Sequence, residues 1–316
     1  MKEHSFVLGI DTSNYTTSAA LYNLDTHEVI SERKLLPVAD GQCGLRQSDA
    51  VFHHTQQLHE VVSRLFDKAE YKPVIKAIGV SSRPIDKEGS YMPCFTVGVN
   101  AANILGTVLG APVYTFSHQQ GHIAAAIYSS GSEYLYNREF IAFHVSGGTT
   151  EAVIVTPDKD SIFCTKLAAR SLDLHAGQAV DRVGVALGLS FPCGKELEQL
   201  ALNYTRSVKV KTCIKGCDCC LSGIENICKD LIKQGESKER VARTCLEFLS
   251  QSIEQMSSAV IEKYGQMPVL FAGGVMSNSI IRENLAKKFD CIFAKPEFST
   301  DNACGTCVLT ALKEVH

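Results

Sequence analysis

His118 and His122 stand four residues apart in Ser117-His118-Gln119-Gln120-Gly121-His122. On a helix, positions i and i+4 share one face, so both imidazoles reach a common point. Neutral imidazole nitrogen is a good ligand for a borderline divalent ion, and two such nitrogens call for a third ligand. The best distant acid is Asp301, in Phe298-Ser299-Thr300-Asp301-Asn302. Two solvated helix-surface histidines without a role are the alternative.

The elements that must position this pair are readable around it. Pro112 to Phe116 reads as a short strand leading directly into the histidines. Phe6 to Asp11 reads as a buried strand ending in an acid, followed by the polar turn Thr12 to Thr17 and a second strand, Ser18 to Asn23. A hydroxyl-rich turn offers small donors for a phosphate or a metal-bound ligand, although an ordinary polar hairpin has the same pattern. Asp49 to Ala69 carries apolar residues at helical spacing, with His53, His54 and His59 on or near it. No acid is placed to join those three, and they read as surface groups. Val74 to Ser81 is strand-like and Thr96 to Leu109 helix-like.

A second strand pair, Glu139 to Val145 and Glu151 to Val155, surrounds Ser146-Gly147-Gly148-Thr149-Thr150. The two hairpins lie about 135 residues apart and predict a duplicated architecture. Val269 to Val275 is a further strand closed by Gly273-Gly274, with a helix expected near Ser277-Asn278. Paired glycines admit a ligand close to the backbone, and a helix N-terminus favours an anion such as phosphate.

The chain has 316 residues, 45% hydrophobic and 21% charged, with a net charge of −3. That length supports a large core in two lobes, and the balance is that of a soluble globular protein. The charge excludes a globally basic nucleic-acid binder, so any nucleic acid needs a local patch or a partner protein. The apolar stretches are too short to span a bilayer, and no signal-like apolar segment opens the sequence. A cytoplasmic location and no membrane partner are expected. Thirteen cysteines is an odd and high count. Most fit as small buried hydrophobes, but Cys213, Cys217, Cys219 and Cys220 form a cluster whose spacing matches no zinc finger. A second metal or redox role is weighed for it.

Taken in order, these segments resemble the tRNA N6-adenosine threonylcarbamoyltransferase family, formerly described as O-sialoglycoprotein endopeptidases. The resemblance runs from Val7-Leu8-Gly9-Ile10-Asp11-Thr12-Ser13 to Pro296-Glu297-Phe298-Ser299-Thr300-Asp301-Asn302. It implies an α/β fold: the duplicated, two-lobed actin-like or sugar-kinase-like ATPase fold with a central ligand cleft. The N-terminal lobe is expected over 1–113, with 298–316 packing on it, and the C-terminal lobe over 114–297. His118, His122 and Asp301 match the family's metal positions. His144, Val145, Ser146, Gly147 and Gly148 match its ligand-binding turn. Asp181, in Ala176 to Arg182, matches the aspartate on the ribose; Gly194 and Glu198, in Phe191 to Glu198, and Asn278 match further nucleotide contacts. The implied cofactors are one divalent metal ion, iron or zinc, and an adenine nucleotide of ATP or AMP type or an acyl-adenylate. The implied partners are tRNA and accessory proteins of a tRNA-modification complex.

Carbamoyl transfer from an acyl-adenylate needs the nucleotide held, the carbonyl polarised and the departing AMP stabilised. A metal site with open positions, glycine-turn amides and a ribose-binding aspartate suit these tasks. The departures from the family concern the acceptor. Its Cys-Asp-Glu-Thr turn is here Asn14-Tyr15-Thr16-Thr17, so Tyr15 and Thr16 replace both acids, and no catalytic base is assigned. Its Gly-Pro-Gly loop is replaced by Arg83 to Cys94, in which Arg83, Lys87 and Glu88 are candidate acceptor or phosphate contacts. The usual histidine after Ser-Gly-Gly is Thr149, and a usually aromatic segment becomes Cys217-Asp218-Cys219-Cys220. Three readings follow: threonylcarbamoyl transfer to tRNA, a paralogous carbamoyltransferase with another acceptor, or a non-catalytic nucleotide-binding partner. The metal residues argue against the last. No Ser-His-Asp or His-Glu-x-x-His pattern supports a peptidase.

Overall fold

The structure, a computed structural model, describes residues 4–13, 15–37, 45–69, 73–299 and 303–315. The chain divides into two compact units. The first comprises Met1–Tyr136, Pro157–Cys164 and Thr300–His316, and the second Asn137–Thr156 and Thr165–Ser299.

In the first unit, β1 (His4–Asp11) and β2 (Thr16–Asn23) form the expected antiparallel hairpin, with Asp11 opposite Ser18. β3 (Val29–Leu35) extends it, and α1 (Gln47–Lys68) follows. β4 (Pro73–Arg83) lies parallel to β1 on its other side. α2 (Phe95–Leu109) leads to β5 (Val113–Ser117), parallel to β4, and α3 (His118–Ser130) starts where β5 stops. The sheet order is β3-β2-β1-β4-β5. β1 is buried along Phe6 to Asp11 because helices cover it, hence a continuous apolar run in place of alternation.

The second unit repeats the plan. β6 (Phe140–Val145) and β7 (Thr150–Asp158) are antiparallel, and β8 (Ile162–Arg170) lies beside β7. Then come α4 (Ala176–Ala186), α5 (Gly194–Leu202), the hairpin β9 (Cys213–Lys215) and β10 (Asp218–Cys220), α6 (Gly223–Lys233) and α7 (Lys238–Tyr264). β11 (Val269–Ala272), α8 (Ser279–Ala286) and β12 (Cys291–Phe293) complete it. Its sheet order, β12-β11-β6-β7-β8, places the first hairpin and the two later parallel strands as in the first unit. The duplication expected from the paired hairpins is therefore present. α7 buries Val241, Cys245, Leu249, Ile253 and Val260 in one core with Ile141, Phe143 and Phe271. The Phe143 and Phe271 rings lie 4.9 Å apart between centroids.

α9 (Cys304–Val315) closes the first unit against β1, β4 and α3. Cys94, Cys193, Cys219, Cys228, Cys245, Cys304 and Cys307 are buried thiols, as expected of cysteines used as small hydrophobes. Among the described residues no helix is long and apolar enough to cross a membrane.

Candidate metal and nucleotide sites

The histidine pair sits on the first turns of α3, and its position is fixed by a reciprocal cap. Ser117 Oγ accepts the Gln120 amide at 3.1 Å, while Gln120 Oε1 accepts the Ser117 amide at 2.8 Å. Such a box satisfies two otherwise orphaned helix-end donors and stabilises the start by about 1 kcal/mol. The remaining Gln120 nitrogen donates to the Phe163 carbonyl at 3.0 Å. The Ser-His-Gln-Gln-Gly-His string thus encodes both the cap and the pair.

His118 Nε2 and His122 Nε2 lie 2.8 Å apart, with ring centroids 4.3 Å apart. His118 Nδ1 lies 2.7 Å from Asp11 Oδ2. A carboxylate only accepts, so His118 carries its proton on Nδ1 and turns an Nε2 lone pair toward His122. Asp11 is 1% exposed, and its other oxygen accepts the Ser13 amide at 2.7 Å. Reading the residues by type did not place Asp11 in the site, although an acid closing a buried strand was a visible signal.

This donor set fits a divalent metal ion. Two Nε2 atoms converge, and a buried carboxylate behind one of them fixes tautomer and ring orientation, as metal-binding histidines require. Asp301, the expected third ligand, lies outside the described residues, as do Thr300, Asn302 and Asn14. Among the described residues no group of three or more His, Cys, Asp or Glu is arranged to hold a metal.

One expectation about histidines is corrected. His54 is not a surface group: it is fully buried, with Nδ1 2.8 Å from Thr17 Oγ1. The buried face of α1 runs through Ala50, His54, Gln57, Leu58, Val61 and Leu65, so two polar residues fall on the core side. Thr17 Oγ1 in turn donates to Gln57 Oε1 at 3.4 Å. With that proton committed, His54 Nδ1–H donates to Thr17, and Nε2, buried with no partner among the described residues, is a bare lone pair. Burial lowers its pKa from the ordinary 6.5 to about 4, against the opposing pull of Asp11, so the ring is neutral.

The residues expected to meet a nucleotide lie in the second unit. His144 and Val145 end β6, opposite Glu151 and Thr150. Ser146 to Thr149 then turn tightly: the Ser146 amide donates to the Thr149 carbonyl at 2.7 Å, and Ser146 Oγ accepts the Gly148 and Thr149 amides. Gly147 and Gly148 are exposed. The N-terminus of α4 docks on this turn. Gly177 donates its amide to the Ser146 carbonyl at 3.0 Å, and Thr150 Oγ1 accepts the Ala176 amide at 2.9 Å. A Cβ on Gly177 would lie 2.6 Å from the Gly147 nitrogen, so only glycine allows this approach. The turn and the start of α4 thus spend these amides on each other and leave the Gly147–Gly148 backbone exposed.

Asp181, one turn further along α4, is half-buried, and its Oδ1 accepts the Cys193 amide at 2.9 Å. Burial pushes its carboxyl up, with that amide pulling the other way. Gly194 opens α5 next to this bond and is exposed. Glu198 Oε1 accepts both the amide and the hydroxyl of Ser279, at 2.7 and 2.6 Å. Asn278 is the cap of α8 and accepts the Ile281 amide at 3.2 Å. Glu198 and Asn278 are thus brought together at the start of α8, each already bonding that helix end.

The replaced segments are more ordinary. Tyr15 offers its carbonyl to the Leu36 amide, and Thr16 is buried with its amide on the Ser13 carbonyl. Arg83 pairs with Asp86 at 2.9 Å, while Lys87 and Glu88 are exposed on the following bend. A staple not anticipated from residue types lies after β8. Asp173 accepts the amides of Leu174, Leu221 and Ser222 and the Ser222 hydroxyl. Burial alone would raise the Asp173 pKa, but the Ser222 hydroxyl and these amides outweigh it and hold the carboxyl below its ordinary value.

Comparisons with known proteins bear on the family and the fold. The profile of the family TsaD, tRNA N6-adenosine threonylcarbamoyltransferase, matches residues 31–306. A probable bifunctional tRNA threonylcarbamoyladenosine biosynthesis protein of Thermoplasma acidophilum is 25% identical over 287 residues, covering 89% of this chain and 51% of that protein. A tRNA N6-adenosine threonylcarbamoyltransferase of Caldivirga maquilingensis is 24% identical over 302 residues, covering 94% and 86%. The chain spans about half the length of the bifunctional relatives it matches. Among solved structures, a ROK family glucokinase from Streptomyces griseus in complex with glucose and AMPPNP covers 96% of this chain and 98% of its own, at a TM-score of 0.55 and 9% identity. That likeness bears out the expected α/β fold of actin-like, sugar-kinase-like type. By its sequence over 31–306, the chain belongs to the tRNA N6-adenosine threonylcarbamoyltransferase family.

Proposed function

We propose that the chain transfers a threonylcarbamoyl group from an acyl-adenylate to an adenosine amine of tRNA. The observation that carries this reading is the Asp11–His118–His122 array, at 2.7 and 2.8 Å, in a chain of this family. His118 and His122 would hold a divalent iron or zinc ion, with Asp301 as the third ligand. When bound, that ion supplies Lewis acidity for carbamate and phosphate oxygens. Asp11 keeps the His118 proton on Nδ1 and holds the ring in place. The exposed Gly147–Gly148 backbone of the turn lets the phosphate approach closely. Asp181, Gly194 and Asn278 orient the nucleoside, and Glu198 supports them by fixing α8.

In the reaction, the acceptor nitrogen bonds to the carbamate carbon, the bond from that carbon to the phosphate oxygen breaks, and AMP leaves. The acceptor's proton passes to solvent or to the departing phosphate. The metal, the accessory proteins and the tRNA all belong to this proposal.

A second reading is favoured by the turn after β1. With Tyr15 and a buried Thr16 in place of two acids, a different acceptor could take the same group. The test supplies threonylcarbamoyl-adenylate and unmodified tRNA to the purified protein with its metal loaded, and scores the modified nucleoside and AMP release. Modified adenosine supports tRNA as acceptor. AMP release without it, above the hydrolysis seen in the absence of protein and raised by an added non-tRNA amine or thiol acceptor, supports the second reading. Neither product, with AMP still bound, overturns the transferase assignment.

A further inference from the structure

We propose that Cys213 and Cys220 form a thiol–disulfide exchange site, oxidised as a pair by a low-molecular-weight disulfide. The two residues are direct partners in the antiparallel β9–β10 ladder. Directly opposed residues in such a ladder have Cα atoms about 4.5–5.5 Å apart, inside the span that a disulfide bridges. The hairpin alternates cleanly: Ile214 and Cys219 pack into the core of the second unit, so Cys213 and Cys220 occupy the opposite face. There Cys213 is exposed and Cys220 half-buried.

The strand bearing Cys220 is held on its other side. The Leu172 amide donates to the Cys219 carbonyl at 2.9 Å, and Asp218 Oδ1 accepts the Arg170 amide at 2.8 Å. Cys220 is therefore presented on a fixed strand. The remaining thiols of the cluster differ. Cys219 is buried, and burial pushes its pKa up to about 12, while Cys217 donates to the Ala259 carbonyl. Cys228 and Cys245 are neighbours too, but both lie within the core, out of reach of a reagent. Cys164 is exposed on β8, outside the β9–β10 hairpin.

The chemistry is a two-step exchange. The exposed Cys213, as thiolate, attacks one sulfur of a disulfide RSSR; a Cys213–S–S–R bond forms and RS⁻ leaves, taking up the proton that Cys213 released. Cys220 then attacks Cys213 Sγ, the bond between Cys213 Sγ and the sulfur of the RS group breaks, and a second RSH departs with the Cys220 proton. The protein gives up two electrons and two protons, and RSSR is reduced to two thiols. Burial and the neighbouring Cys213 thiol push the Cys220 pKa up, which suits the exposed residue attacking first and the half-buried one resolving.

The test equilibrates the full chain in oxidised and reduced glutathione, quenches with acid, alkylates and maps the peptides by mass. The expected product is one peptide with Cys213 and Cys220 joined, two hydrogens lighter than the dithiol, while Cys164 carries glutathione. In Cys220→Ser the resolving thiol is gone, and the glutathione adduct on Cys213 rises about tenfold over the parent. The proposal is overturned if both cysteines remain fully alkylated in a buffer that glutathionylates Cys164. It is equally overturned by a bond from Cys213 to Cys217, or by an adduct on Cys213 equal in parent and variant. Mapping of the parent chain decides the matter even if the variant fails to fold.

Discussion

Gly305 of α9 rests its backbone on the Gly121 carbonyl of α3, between the two histidines; a Cβ on Gly305 would lie 2.6 Å from the Gly121 carbonyl carbon. Backbone cannot rotate aside as a side chain can. Gly305→Ala should push α3 off α9 and cost about 2–3 kcal/mol, at the upper end for overpacking. Thermal unfolding should show it as a lowered midpoint, and the surviving folded protein should hold less metal. An unchanged midpoint would mean that the two helices part freely.

Asp11 serves two donors with two oxygens, the Ser13 amide and His118 Nδ1–H. An asparagine in its place would offer a single acceptor oxygen, so Asp11→Asn must abandon one of them. Loss of a carboxylate behind a ligating histidine lowers metal affinity about 10–100-fold. Competition with a chelator, read by elemental analysis, measures this; His118→Ala in the same assay should retain no metal. Equal metal content in parent and both variants would remove the metal site from this helix.

His54 makes stability depend on pH. Its folded-state pKa is lowered to about 4 from 6.5, so on acidification the unfolded chain takes up this proton first. The contribution is complete above about pH 6.5 and is lost as pH falls toward 4, amounting to about 2–3 kcal/mol across that window. His54→Gln should flatten this part of the stability–pH curve in urea titrations. A parent curve that is already flat between pH 6.5 and 4 would contradict the neutral, buried ring.

Gly177→Ala should act on the nucleotide turn, since a methyl there meets the Gly147 backbone. The expectation is an AMP affinity weaker by about tenfold or more, roughly 1.4 kcal/mol, with helix content unchanged. Calorimetric titration of AMP into the intact parent chain provides the reference. Equal affinity would place the nucleotide away from Ser146–Gly148.

Hairpins and amphipathic helices were legible because burial writes its period into the residues: β1 and β2, α1 and α2, and the second hairpin all lie where alternation or helical spacing put them. The His118–His122 spacing was legible for the same reason. Asp11 could be seen only as an acid at a strand end, because its bond to His118 joins residues 107 positions apart. His54 was misread because helical spacing assigns a face by its apolar majority, and a polar residue satisfied by a distant Thr17 breaks that rule. Glu198 was noticed for the right segment, yet nothing local reveals that its carboxylate caps α8 81 residues later.

The Asp173 staple makes the chain return to its own starting point. Residue 173 is fastened to Leu221 and Ser222, so everything between them is a closed excursion that leaves and re-enters at one knot. α4 and α5, with Asp181 and Gly194, travel on that excursion, and α6 departs from the knot itself. An insertion between Leu202 and Cys213 would lengthen the detour without moving its two ends. The place where α6 begins is therefore indifferent to how long the chain wanders before reaching it.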